Sequence, residues 1–290
     1  MKEKIKLIAI ISALSLLSAG CVLPACAGRR EEEILPDNEI VGDENNVTPP
    51  TSGFNQPGEE ENEGAEVVLP SEVVTPPTVK TADYIKVTGD GVSIRSGAGV
   101  NFTKVGVAEK GVLYALRGKA DGWYMTFYKG KTAFISDKYC VVVQMNESAN
   151  EQVEKVIAEG CKHMGVTYVY GATRYHDGKG NRLSGFSAQA FDCSSLMQYI
   201  FKIGAGVNLQ VNTRTQVYQG KTVAKGDLKR GDLMFFTNAS RKYNTGVERI
   251  GHVALYLGDN YILHTASDYA KIEKISTTRW GYFIQAQRVL

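Results

Sequence analysis

The chain has 290 residues with 33 basic and 31 acidic side chains, a net charge of +2, and room for one or two domains with real cores. The charge is unevenly spread: residues 28–80 carry 13 acidic and 3 basic side chains, residues 81–290 carry 17 and 27. A basic folded part suits anionic surroundings, but no nucleic-acid motif accompanies it, so nucleic acid is not expected as a partner.

The first residues read as an export signal spanning 1–27. Lys2, Lys4 and Lys6 precede an apolar run from Ile5 to Leu17 that is too short to span a membrane. Leu17-Ser18-Ala19-Gly20-Cys21 resembles a bacterial lipoprotein cleavage box, which implies cleavage before Cys21 and a lipid on that cysteine as the link to the membrane. Ala25-Cys26-Ala27 is the rival, a cleavage site that would release the protein. Residues 28–80, rich in Glu, Pro, Asn and Gly, hold too few large apolar residues to bury a core and read as a disordered, self-repelling linker.

Residues 81–145 change to short alternating runs broken by glycine. Strands are expected at Val92–Gly97 and Val112–Leu116, and a hairpin from Gly122–Phe127 and Thr132–Ile135 around Lys129-Gly130-Lys131. Five or six short strands in such a span predict a small all-β barrel. Val92-Ser93-Ile94-Arg95-Ser96-Gly97, Gly122-Trp123-Tyr124 and Gly130-Lys131-Thr132-Ala133-Phe134-Ile135 resemble the bacterial SH3-type domain of wall enzymes. That resemblance implies a targeting or substrate-limiting role, while Trp123 and Phe134 read as core residues.

Val153, Val156, Ile157, Cys161 and Met164 recur at helical spacing and predict a helix over 150–164. His163 then falls in its last turn as a polar C-terminal residue. Thr167-Tyr168-Val169-Tyr170-Gly171 reads as a short extended segment, and the polar loop from Ala172 to Gln189 carries His176, expected to be exposed.

Phe191-Asp192-Cys193-Ser194-Ser195-Leu196 opens the next element. Leu196, Ile200 and Ile203 mark a helix beginning at Cys193, with Asp192 as its N-cap. A thiol there lies beside the positive end of the helix dipole, which favours the nucleophilic thiolate. The plain alternative is a buried structural cysteine. Cys140 and Cys161 are the other thiols of the folded part; they could pair, but read better as small buried residues, and no spacing resembles a zinc site.

Gly231–Phe236 reads as a turn entering a buried strand. Ile250–Leu257 and Tyr261–Ala266 read as a hairpin around Gly258-Asp259-Asn260. With a three-residue loop Leu257 pairs with Tyr261 and Ala254 with His264, which puts His252 and His264 on one face. A two-residue loop would send His264 to the other face. Cys193 as nucleophile needs an imidazole to take its proton and a third group to hold that ring; His252 suits the base and His264 the orienting role.

Thr-Tyr-Val-Tyr-Gly, Phe-Asp-Cys-Ser-Ser-Leu, Lys-Arg-Gly-Asp-Leu-Met-Phe-Phe, Gly-His-Val-Ala-Leu-Tyr-Leu-Gly and Ile-Leu-His-Thr occur in the order of the NlpC-like cysteine endopeptidases. The resemblance covers about residues 150–290. It implies an α+β, papain-like catalytic domain that cleaves peptidoglycan stem peptides between γ-D-glutamate and the following diamino acid, as a monomer without metal or organic cofactor. It carries over Cys193 as nucleophile, His252 as base, His264 as orienter and Tyr168 as the tyrosine bordering the site. Ala172 replaces an expected glycine, Val211 replaces an expected arginine, and the loop before Phe191 is about ten residues longer than usual. An amidase of similar Cys–His chemistry and a non-catalytic wall-binding protein are the alternatives.

Overall fold

A computed structural model describes residues 79–290. The export signal with Cys21, and the acidic segment up to residue 78, lie outside the described residues. Eight strands come first: β1 (Thr81–Val87), β2 (Val92–Arg95), β3 (Lys104–Ala108), β4 (Leu113–Ala115), β5 (Gly118–Ala120), β6 (Trp123–Tyr128), β7 (Lys131–Ser136) and β8 (Cys140–Asn146). Then follow α1 (Glu151–Lys162), β9 (Thr167–Tyr168), β10 (Ala190–Phe191), α2 (Cys193–Ala205), α3 (Thr213–Gln216), β11 (Lys221–Val223), β12 (Leu233–Phe236), β13 (His252–Gly258), β14 (Tyr261–Ala266), β15 (Tyr269–Lys274), α4 (Thr277–Gly281) and β16 (Phe283–Arg288). Helix and sheet are thus mixed as expected. Among the described residues no helix is long and apolar enough to cross a membrane.

The N-terminal strands number eight rather than five or six, and their pairings divide them between two sheets. One has the order β3-β2-β7-β6-β5; β1, β4 and β8 instead join the large sheet β11-β16-β12-β13-β14-β15-β4-β1-β8. The predicted β6–β7 hairpin turns at Lys129 and Gly130, both with left-handed φ, the twist that a two-residue hairpin loop requires. Ala133 and Ile135 point inward, whereas Trp123 and Phe134 are only half-buried. These two are therefore not the fully buried core residues expected.

The helices α1 and α2 cover one face of the large sheet. The buried residues Val153, Val156, Ile157 and Cys161 of α1 and Leu196, Met197, Ile200 and Phe201 of α2 form one cluster with Val253, Leu255, Leu257 and Leu263. Fully burying such side chains stabilises by about 1.5–3 kcal/mol each. The two helices approach closely because Gly204 has no Cβ; one would lie 2.6 Å from the Val156 backbone. The opposite face holds a second cluster that includes Met234, Phe236, Ala254, Ile262 and Ala286, with Trp280 and Phe283 packed against it. Cys140, Cys161 and Cys193 are all free and buried.

Two histidines are placed differently from expectation. His176 is fully buried, its Nδ1 accepting from the Gly178 amide at 3.0 Å, because the loop 172–190 folds onto α2. Tyr175 and Phe186 of that loop meet the Tyr199 ring at 5.3 and 5.2 Å between centroids. His163 does cap the C-terminus of α1, yet it is buried, 3.2 Å from the Glu159 carboxylate and edge-on to Phe191 and Tyr199.

Candidate active site

Asp192 fixes the start of α2. Its carboxylate accepts from the Ser195 amide at 2.8 Å, and the Ser195 hydroxyl accepts from the Asp192 amide at 2.9 Å, a reciprocal capping box. The same carboxylate takes the Ser194 hydroxyl at 3.0 Å, the Gly171 amide at 3.2 Å and the Arg174 guanidinium at 2.8 Å. Arg174 also donates to the Ala172 and Val211 carbonyls and, at 3.2 Å, to Ser194 Oγ. The long loop therefore supplies an arginine beside position 211, where the expected arginine is replaced by valine. Gln216 completes the frame, its amide donating to the Ser194 and Gln210 carbonyls at 2.9 and 2.8 Å.

Cys193 is thus held at the first position of the helix, but its thiol is not the stabilised thiolate that the sequence led one to expect. Burial, and secondarily the Asp192 charge, push it up to about 12. The Val253 and Ser194 amides and the Arg174 cation act in the opposite direction without prevailing. Desolvation outweighs the helix end because the charged form loses its water. Val253 directly follows His252 at the start of β13, so the strand that carries this histidine also influences the thiol.

The histidine pair stands on one face for a reason the sequence only half disclosed. Leu255 pairs with Leu263 and Tyr256 with Ile262, the predicted alignment, but Gly258 pairs with Tyr261. The turn contains only two residues, Asp259 and Asn260, both with left-handed φ. A register shift at Leu257 restores the step that such a turn would have lost. The Leu257 carbonyl receives Arg230 Nη1 at 2.8 Å. His252 Nε2 consequently lies 3.1 Å from His264 Nδ1. Burial, then the neighbouring His264 imidazole and the Arg279 cation, hold His252 well below the ordinary imidazole range.

His264 is fully buried, and burial lowers it too, against the opposing pull of Glu273. Its Nε2 is 2.9 Å from Glu273 Oε1. Glu273 sits on β15 diagonally from His264, since His264 pairs with Lys271 and Ile262 with Glu273. The alternation Tyr269-Ala270-Lys271-Ile272-Glu273 carries a strand signal, but residues 267–290 yielded no reading. Tyr168 lies in β9, paired beside Phe191 two residues before Cys193, and its amide donates to the Asp268 carbonyl at 2.8 Å. The structure thus joins His252, His264 and Glu273 in one line, sets Cys193 at the capped start of α2 beside the Asp192–Arg174 pair, and places Tyr168 on the strand beside Phe191.

Residues 165–289 match the NlpC/P60 family. A γ-DL-glutamyl hydrolase of Bacillus subtilis is 29% identical over 163 residues, 56% of this chain and 35% of that protein. A γ-D-glutamyl-L-lysine dipeptidyl-peptidase of the same organism is 33% identical over 129 residues, 44% of this chain and 37% of that protein. The chain therefore spans little more than a third of the length of these relatives. Among solved structures, RipD of Mycobacterium tuberculosis, described as a non-catalytic NlpC/p60 domain protein, is 25% identical with a TM-score of 0.38, covering 49% of this chain and 99% of that one. A capped helix opening on a cysteine and a same-face histidine pair lie within the stretch, residues 165–289, that is similar to the NlpC/P60 family.

Proposed function

We propose that this domain is a cysteine peptidase of the cell wall, cleaving peptidoglycan stem peptides between γ-D-glutamate and the following diamino acid. The observation that carries the reading is the buried Cys193 at the capped start of α2 together with the buried His252–His264 pair, hydrogen-bonded at 3.1 Å. The relatives named for γ-D-glutamyl hydrolysis support the bond type, and the basic balance of residues 81–290 suits an anionic wall.

At rest both partners are neutral, thiol and imidazole. His252 takes the thiol proton as the sulfur attacks the scissile carbonyl, forming a carbon–sulfur bond. Backbone amides near Cys193 receive the developing oxyanion. The carbon–nitrogen bond then breaks as the imidazolium protonates the leaving amine, and water hydrolyses the thioester. Tyr168 borders the site. The N-terminal strands keep their resemblance to an SH3-type module, which in this reading holds the enzyme on the wall.

Digestion of purified muropeptides, followed by mass spectrometry, tests the reading. The expected products are fragments ending in γ-D-glutamate. A cut at the lactyl amide would instead identify an amidase. Intact muropeptides bound to the protein would identify a binding module.

A further inference from the structure

The hydrogen bond between two neutral imidazoles can run in either direction. If His264 donates through Nδ1, then His252 accepts at Nε2 and carries its proton on Nδ1, leaving no lone pair for the thiol. If His252 donates through Nε2, its Nδ1 is free to act as base. The distance of 3.1 Å between His252 Nε2 and His264 Nδ1 fits both arrangements. Something outside the pair must choose.

Resting on the peptidase reading above, we propose that Glu273 is the positioning residue that makes this choice, a fourth member behind the Cys193–His252–His264 line. Its Oε1 lies 2.9 Å from His264 Nε2, and the same oxygen lies 3.2 Å from Arg279 Nη2. Its Oε2 is 3.9 Å from Lys271 Nζ. A carboxylate flanked by two cations stays ionised and only accepts. His264 must therefore carry its proton on Nε2, which leaves Nδ1 as an acceptor. His252 must then donate through Nε2, and its lone pair is at Nδ1. Burial alone would raise the Glu273 carboxyl, but the hydrogen bond and electrostatic pull of His264 and the Arg279 and Lys271 cations bring it down to about 2. The carboxylate also places a negative charge behind the pair when His252 becomes an imidazolium.

The charged groups facing the pair are few among the described residues. Arg279 of α4 and Lys271 of β15 oppose protonation, and Glu273 of β15 favours it. Lys271 is itself shared with Asp268 and, from the segment before β4, with Glu109, at 3.0 and 3.3 Å. Glu273→Gln keeps the shape while removing the charge and adding a donor, so it lets His264 adopt either tautomer.

The experiment has two independent readings. Imidazole nitrogen and carbon-bound proton correlations, recorded by NMR on the unaltered protein near neutral pH, should find His252 and His264 both protonated on Nε2. A proton on Nδ1 of either would overturn the proposal. This reading needs no substrate, so it stands apart from the identity of the scissile bond. In turnover, Glu273→Gln should lower kcat at least about 10-fold with KM little changed. The acidic limb of its pH profile, where His252 becomes protonated in the resting enzyme, should also move to lower pH, because the imidazolium loses its counter-charge. A lower profile with unmoved limbs would mean a purely structural role, and an unchanged kcat would equally sink the idea. Should Glu273→Gln fail to fold, the NMR reading of the unaltered protein still decides.

Discussion

Cys193→Ser is expected to abolish hydrolysis while leaving the fold intact. The serine hydroxyl is smaller than the thiol and fits the same buried position at the start of α2. What it cannot do is give up its proton to a weak base. His252 is held well below the usual imidazole range by burial and by its neighbours His264 and Arg279, and a hydroxyl is far less acidic than a thiol. Removing the nucleophile of a comparable catalytic unit costs on the order of 10⁶ in kcat. Loss to background is therefore the expected readout of a muropeptide assay, with circular dichroism unchanged. Turnover near the parent level would end the nucleophile assignment.

The second large effect separates the two histidines. In the proposed mechanism His252→Ala removes the general base, and general base catalysis contributes on the order of 10²–10⁴-fold. His264→Gln is expected to fall between this variant and the parent, because the amide oxygen can still accept from His252 Nε2. Glu273 then loses its histidine but keeps Arg279 at 3.2 Å, so no bare buried carboxylate is created. Steady-state rates of the parent and both variants on one muropeptide provide the check. A fully active His264→Ala beside an inactive His252→Ala would show that the second histidine orients nothing.

The parts of this site that could be read from the chain are those whose signals are local. Asp192 ahead of the helical periodicity of Leu196, Ile200 and Ile203 announces a capped helix, and Gly258-Asp259-Asn260 announces a hairpin. Even there the reasoning reached the correct face by an incomplete route: the loop is two residues long, and the bulge at Leu257 restores the alignment. No periodicity announces such a bulge, since it rests on Arg230 far away in sequence. Glu273 and Arg174 were missed for the same reason, as their roles come from strand pairing and loop folding rather than from neighbours along the chain. His176 was misread because a polar loop ordinarily lies in water; here Tyr175 and Phe186 bring it down onto α2. The thiol was misjudged because a helix end is visible in sequence, whereas the depth of burial is not.

The continuity of the large sheet has a consequence for cooperativity. Strand β15 pairs with β4 at Ile272 and Leu113, so the hairpin layer of residues 165–289 runs directly into the N-terminal strands. The β6–β7 turn is bonded to the end of α1, Lys129 and Gly130 donating to the Met164 and Lys162 carbonyls at 2.7 and 2.8 Å. Arg230 binds Glu154 at 2.7 Å, Tyr84 Oη at 2.9 Å and the bulged Leu257 carbonyl at 2.8 Å, so one guanidinium serves both regions. Linked domains commonly melt separately. Here, losing the N-terminal strands would uncover a sheet edge and strip partners from a buried arginine, so neither region has a cheap partial unfolding open to it. Scanning calorimetry of residues 79–290 should therefore record one transition, and two resolved peaks would show that the shared sheet does not couple them.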